Sequence, residues 1–290
     1  MRVFLSILLT AAVLSIGGRG VSAEVACTDQ SVATSETATT PPAMEFPETR
    51  FPEEGGDLHI FAAASLTDAY NDMADQLMAG NPNLNITIET AGSQTLVTQL
   101  EEGASADVLA LGNTSTMDRA TEGGLISGDP VTFTGNRLVI VTPADNPAGI
   151  GSIDELANDG VRLVLANPDV PVGNYSMIAF CDYANVDGTV EGFIDGINAN
   201  LVSEEPDVRH VLTKVQLGEA DAGVVYASDA TASVLSGVEL QVIEFPATVP
   251  TRADYPIAAV EGGNNELANA FISFVLSDEG QEILAHYGFQ

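Results

Sequence analysis

The chain has 290 residues and sets nine Lys and Arg against 41 Asp and Glu, a formal charge of −32. Its 45% hydrophobic content can bury a core, which separates it from disordered acidic chains. It has no basic face with which to displace counterions from a nucleic acid or to dock on an anionic membrane; beyond position 23 the basic residues stand singly, at Arg50, Arg119, Arg137, Arg162, Arg209, Lys214 and Arg252.

Residues 1–23 contain Arg2 and Arg19 but no acid, an apolar run from Val3 to Gly18, and Val21-Ser22-Ala23. A basic start, a short apolar run and a small-x-small end predict a secretory signal peptide. The run is short for a membrane span, which needs about 20 apolar residues. Residues 24–56 are rich in Thr, Ser, Pro and Glu without sustained periodicity, and predict a disordered linker or tether. Such a leash suits a chain cleaved just before Cys27 and lipid-anchored there. The alternatives are a Cys27–Cys181 disulfide, which an oxidising compartment allows, and two free thiols.

From Asp57 onward the pattern is strand then helix, repeated. Leu58 to Ala64 is an apolar run of strand length. Leu66, Ala69, Tyr70, Met73, Ala74, Leu77 and Met78 then make a helix face, with Ser65-x-x-Asp68 resembling a capping box. Strands are predicted at Asn85 to Thr90, Ala106 to Leu111, Arg137 to Thr142, Val161 to Ala166, Ala222 to Tyr226 and Leu240 to Phe245. Helices follow Ser93, run through Met117 and Ala120, start after the Ser152-x-x-Glu155 cap, and cover Gly173 to Cys181, Asp207 to Leu217, Asn265 to Leu276 and Glu279 to Tyr287. This alternation predicts an α/β fold with a mostly parallel sheet flanked by helices, binding its ligand at the carboxyl ends of the strands. Four predicted helix starts carry polar atoms or free amides: Ser65, Ser93, Val170-Pro171-Val172-Gly173, and Val208 after Asp207. Helix N-termini that converge would make an anion site without Lys or Arg.

Seven pieces, in order, resemble the molybdate-binding proteins of ABC importers. They are Phe61-Ala62-Ala63-Ala64-Ser65-Leu66-Thr67, Ala91-Gly92-Ser93-Gln94-Thr95-Leu96, Gly103-Ala104-Ser105-Ala106-Asp107-Val108, Gly135-Asn136-Arg137-Leu138-Val139, Val170-Pro171-Val172-Gly173-Asn174-Tyr175, Gly223-Val224-Val225-Tyr226-Ala227-Ser228-Asp229-Ala230, and an end made of Tyr255-Pro256-Ile257, Val260-Glu261-Gly262 and Tyr287-Gly288-Phe289.

The resemblance implies a two-lobed binding-protein fold with the ligand in the interlobe cleft. The first lobe would hold residues 57–138 plus 245–290, and the second 139–244. Ser65 and Ser93 would each give a hydroxyl and an amide, Val172 and Val208 a backbone N–H, and Tyr226 its hydroxyl. These residues would contact molybdate oxygens rather than ligate a metal cation. The protein would take molybdate, and tungstate with it, needing no cofactor, and would act as a monomer that delivers the oxyanion to the membrane subunits of an ABC permease. The chain departs from the family pattern at Gln94, where another serine is common, and over Asp182 to Val202. Within that stretch Asp182, Asn185, Asp187 and Glu191 read as a solvated loop rather than a calcium loop.

Two rival classes are a binding protein of the same fold for sulfate or phosphate, and a secreted hydrolase. Protonated phosphate calls for an acceptor such as aspartate, and none of the five positions is one. For a hydrolase, His59, His210 and His286 lack metal spacing, and there is no Gly-x-Ser-x-Gly elbow or nucleotide loop.

Overall fold

The computed structural model describes Val25, Cys27, residues 51–187 and residues 190–290. The signal peptide and most of the linker lie outside the described residues. Strand β1 (Gly56–Ala63) leads through a short 3-10 turn into helix α1 (Thr67–Gly80), then β2 (Leu84–Ala91), α2 (Ser93–Glu101), β3 (Val108–Ala110) and α3 (Thr114–Glu122). Helix α1 buries Ala69, Tyr70, Met73, Ala74 and Leu77, the face its three-and-four spacing predicts. Strand β4 (Ile126–Pro143) follows, then the Ser152/Glu155 capping box, which opens a 3-10 turn rather than a full helix.

The chain continues through β5 (Leu163–Ala166), α4 (Pro171–Asp187), α5 (Val190–Asn200), β6 (Leu201–Glu205), α6 (Val208–Gln216), β7 (Ala222–Tyr226), α7 (Ala227–Leu235) and β8 (Leu240–Glu244). It closes with β9 (Arg252–Val260), α8 (Asn265–Leu276) and α9 (Asp278–His286). The solvated loop expected within 182–202 is overturned. Residues 182–187 finish α4 and 190–200 form α5, where Phe193, Ile194 and Ile197 are buried at helical spacing.

The strand order is β2-β1-β3-β9-β4-β7-β5-β6, with β8 also on β4. The α/β class holds, and the sheet is mixed. Strands β1, β2 and β3 are parallel to one another, as are β5, β6 and β7. Between these groups β4 and β9 run antiparallel to their neighbours. From Ile126 to Arg137, β4 pairs with β9; from Leu138 onward it pairs with β7 and β8. One long strand therefore threads both half-sheets. Strand β9 escaped the sequence reading because Pro256 interrupts it. Pro256 pairs with Thr132, next to an irregularity between Thr132 and Thr134, where a missing N–H costs the ladder little.

Cys27 is disulfide-bonded to Cys181 on α4. This corrects the expected lipid anchor: a sulfur bonded to Cys181 cannot also carry a thioether. The preceding Val25 is buried, donates its amide to Asn198 Oδ1 at 2.8 Å, and accepts from Asn198 Nδ2 at 3.0 Å. The arm is thus docked on α4, which the sequence reading expected up to Cys181, and on α5, which it did not.

Candidate functional site

All five expected residues line one cavity, together with Ala63, Ala64, Ala91, Gly92, Gly112, Val170, Pro171 and Asp207. It offers about 20 Å³ to the centre of a water-sized sphere, enough for a water or a compact ion and too little for an organic solute. Around it, the 3-10 turn after β1 carries Ser65, α2 begins at Ser93, α4 begins at Pro171 and α6 begins at Val208. The first amides of a helix have no intrahelical acceptor, so Val172 and Val208 present free donors at the positive ends of their helices. Pro171 suits the first turn of α4, where its missing N–H costs nothing. At Gly173 any Cβ would lie 2.2 Å from the Asn167 carbonyl oxygen; only glycine lets α4 start so close to β5.

The hydroxyls are arranged as donors. Ser93 Oγ accepts from the Gly112 amide at 3.0 Å, which leaves its own proton free. Ser65 forms no cap, contrary to the capping-box reading; it lies in the 3-10 turn, and its Oγ is 2.8 Å from the Tyr255 hydroxyl. Asn136 Nδ2 donates to Ser228 Oγ at 2.8 Å and more distantly to Tyr255 at 3.5 Å. Either oxygen can be the donor between Tyr255 and Ser65; when Tyr255 donates, the Ser65 proton is free for the cavity. Tyr226 is 2% exposed; its hydroxyl meets that of Tyr255 but makes no well-aligned hydrogen bond among the described residues. A buried hydroxyl without a well-aligned partner costs about 1–3 kcal/mol, so an acceptor placed in the cavity would be stabilised by it. Burial, then the neighbouring Tyr255, Tyr175 and Asp229, push its pKa well above the usual tyrosine value.

One carboxylate lines the cavity: Asp207, which caps α6. Its Oδ1 accepts from the Arg209 and His210 amides at 2.9 and 3.1 Å, and its Oδ2 lies 2.9 Å from His210 Nδ1. Both oxygens are engaged away from the space, so the cavity wall presents donors. Gln94 does not face the cavity; its Nε2 donates to the Pro206 carbonyl at 3.2 Å.

Sequence reading assigned no role to Tyr255, Asn136 or Arg209. The first two lie within quoted motifs, and only the pairing of β4 with β9 brings them behind Ser65. Residues 58–290 match the family model of the bacterial extracellular solute-binding proteins. The chain belongs to that family. This solute-binding protein is 39% identical over 231 residues to the molybdate-binding protein ModA of Mycobacterium tuberculosis strain H37Rv, covering 79% of this chain and 83% of the relative. With ModA of Escherichia coli K12 it shares 35% over 241 residues, covering 81% of this chain and 89% of the relative. Its fold also matches the periplasmic molybdate-binding protein of Azotobacter vinelandii, with a TM-score of 0.67 at 16% identity, over 80% of this chain and 98% of that one. This solute-binding protein is thus related to binding proteins rather than to hydrolases.

Proposed function

We propose that this protein is the exported solute-binding component of an ABC importer, capturing molybdate, and tungstate with it, and delivering it to the membrane permease. Its relatives of 35–39% identity are molybdate-binding proteins. The observation that carries the reading is one small cavity lined by the buried Tyr226, by Ser65 and Ser93, and by the N-termini of α2, α4 and α6. Ser65, Ser93 and Tyr226 give hydroxyls, and Val172 and Val208 give amides. The half-sheet of β1, β2, β3 and β9 and that of β5, β6 and β7 act as lobes that close over the ion about β4 and the segment leading into β9.

A wall of donors suits a fully deprotonated tetrahedral dianion. We expect molybdate and tungstate to bind comparably, sulfate at least about tenfold more weakly because its shorter bonds leave longer contacts, and phosphate weakest. Calorimetry with the four anions side by side checks this order; sulfate or phosphate matching molybdate would sink the assignment.

Neutral donors also predict a flat pH response. With its pKa raised, Tyr226 stays protonated through neutrality. The buried Asp229 carboxyl, pushed up to about 6 by burial against the opposing pull of Arg209, is already mostly ionised at pH 6.5. Molybdate affinity should therefore change less than about threefold between pH 6.5 and 8.5. A histidine-based site would weaken steadily as pH rises across that range.

A further inference from the structure

We propose that Arg209 is the latch of the cleft, a positioning residue that joins the two halves once the ion is in place; the inference rests on the binding reading above. Arg209 follows Val208 directly and is the second residue of α6, yet it does not line the cavity. Its guanidinium lies between two carboxylates. On its own side, Nε is 2.9 Å from Oδ1 of Asp229, an ion pair not aligned as a hydrogen bond. Asp229 is fully buried, and its other oxygen accepts the Tyr226 amide at 3.2 Å. Across the cleft, Nη2 is 2.5 Å from Asp68 Oδ2 in the first turn of α1, three residues after Ser65.

The two partners differ in kind. The Asp229 side chain has no exposure, so parting it from Arg209 would strand a buried charge. The Asp68 side chain is 41% exposed and returns to water cheaply. Arg209 therefore stays on Asp229 throughout, and Asp68 is the partner that comes and goes. Because Val208 and Arg209 are adjacent, the segment that presents an amide to the ion also pins the opposite wall. The latch forms only on closure, so it slows release and leaves capture alone.

Asp68→Asn is the decisive variant, since it leaves every proposed donor and the Arg209–Asp229 pair intact. Molybdate titrations and stopped-flow release are expected to show affinity about three- to fivefold lower, the scale of a partly exposed ion pair, carried by faster release. Removing a negative charge would by itself favour a dianion, so a loss is diagnostic; exposed Asp75→Asn is the matched control and should bind like wild type. In an Arg209→Gln/Asp229→Asn background, Asp68→Asn should have no further effect. The latch is overturned if Asp68→Asn binds and releases molybdate like wild type, or if its penalty persists in that background. Should the wild type prefer sulfate, the molybdate reading fails and the same comparison with sulfate still decides the latch, because closure depends on a filled cavity. A wild type that takes none of the four anions overturns both.

Discussion

Replacing Tyr226 by phenylalanine is expected to lower molybdate affinity by about 10- to 100-fold while leaving the melting temperature of the free protein unchanged or slightly raised. The hydroxyl is buried and makes no well-aligned hydrogen bond within the protein, so the ligand-free protein gains little from it. In the complex it donates to an anion, a charge-assisted hydrogen bond worth roughly 1.5–3 kcal/mol. The ring remains, and with it the edge-to-face contact with Tyr255 at 5.8 Å. Ser93→Ala should lose less, because its backbone amide stays at the start of α2. Calorimetry and thermal unfolding of both variants measure the two halves of the argument. Wild-type affinity in Tyr226→Phe would mean the hydroxyl does not face the ion.

Cys181→Ser is expected to cost about 2–4 kcal/mol of stability, the range typical of a disulfide closing a long loop. The sequence separation is 154 residues, and the bond pins an arm whose Val25 is buried and hydrogen-bonded to Asn198. Reduction of the wild type should lower its melting temperature to that of the variant. Affinity for molybdate should not move, since Cys181 lies nine residues along α4 from Val172, about 13 Å of helix. Melting curves with and without dithiothreitol provide the check; identical curves would mean the thiols are unpaired.

The residues of the cavity were legible because each sits in a local motif at a strand-to-helix junction, where chain geometry alone exposes amides. Their convergence was not legible from periodicity; it came from the resemblance. The support behind Ser65 was invisible for a tertiary reason. Tyr255 and Asn136 meet only because β9 lies beside β4, and Pro256 hides β9 from a pattern reading. The 182–202 stretch misled because its acidic and amide residues suggested water, while the apolar stripe of Phe193, Ile194 and Ile197 lay at helical spacing within it. Arg209 was read as one of several isolated charges, and sequence gives no hint that Asp68 and Asp229 lie on either side of it.

Strand β9 comes from the last forty or so residues of the chain, yet it is inserted between β3 and β4, which are made far earlier. Strands β1 to β3 therefore cannot be joined to β4 until synthesis is nearly complete. Pairings of such long sequence separation form late and slowly. A chain with that gap has no finished N-terminal half to fold into until β9 arrives. The arrival of β9 completes the sheet and places Tyr255 behind Ser65 in a single step, so that folding and the acquisition of the cavity become the same event.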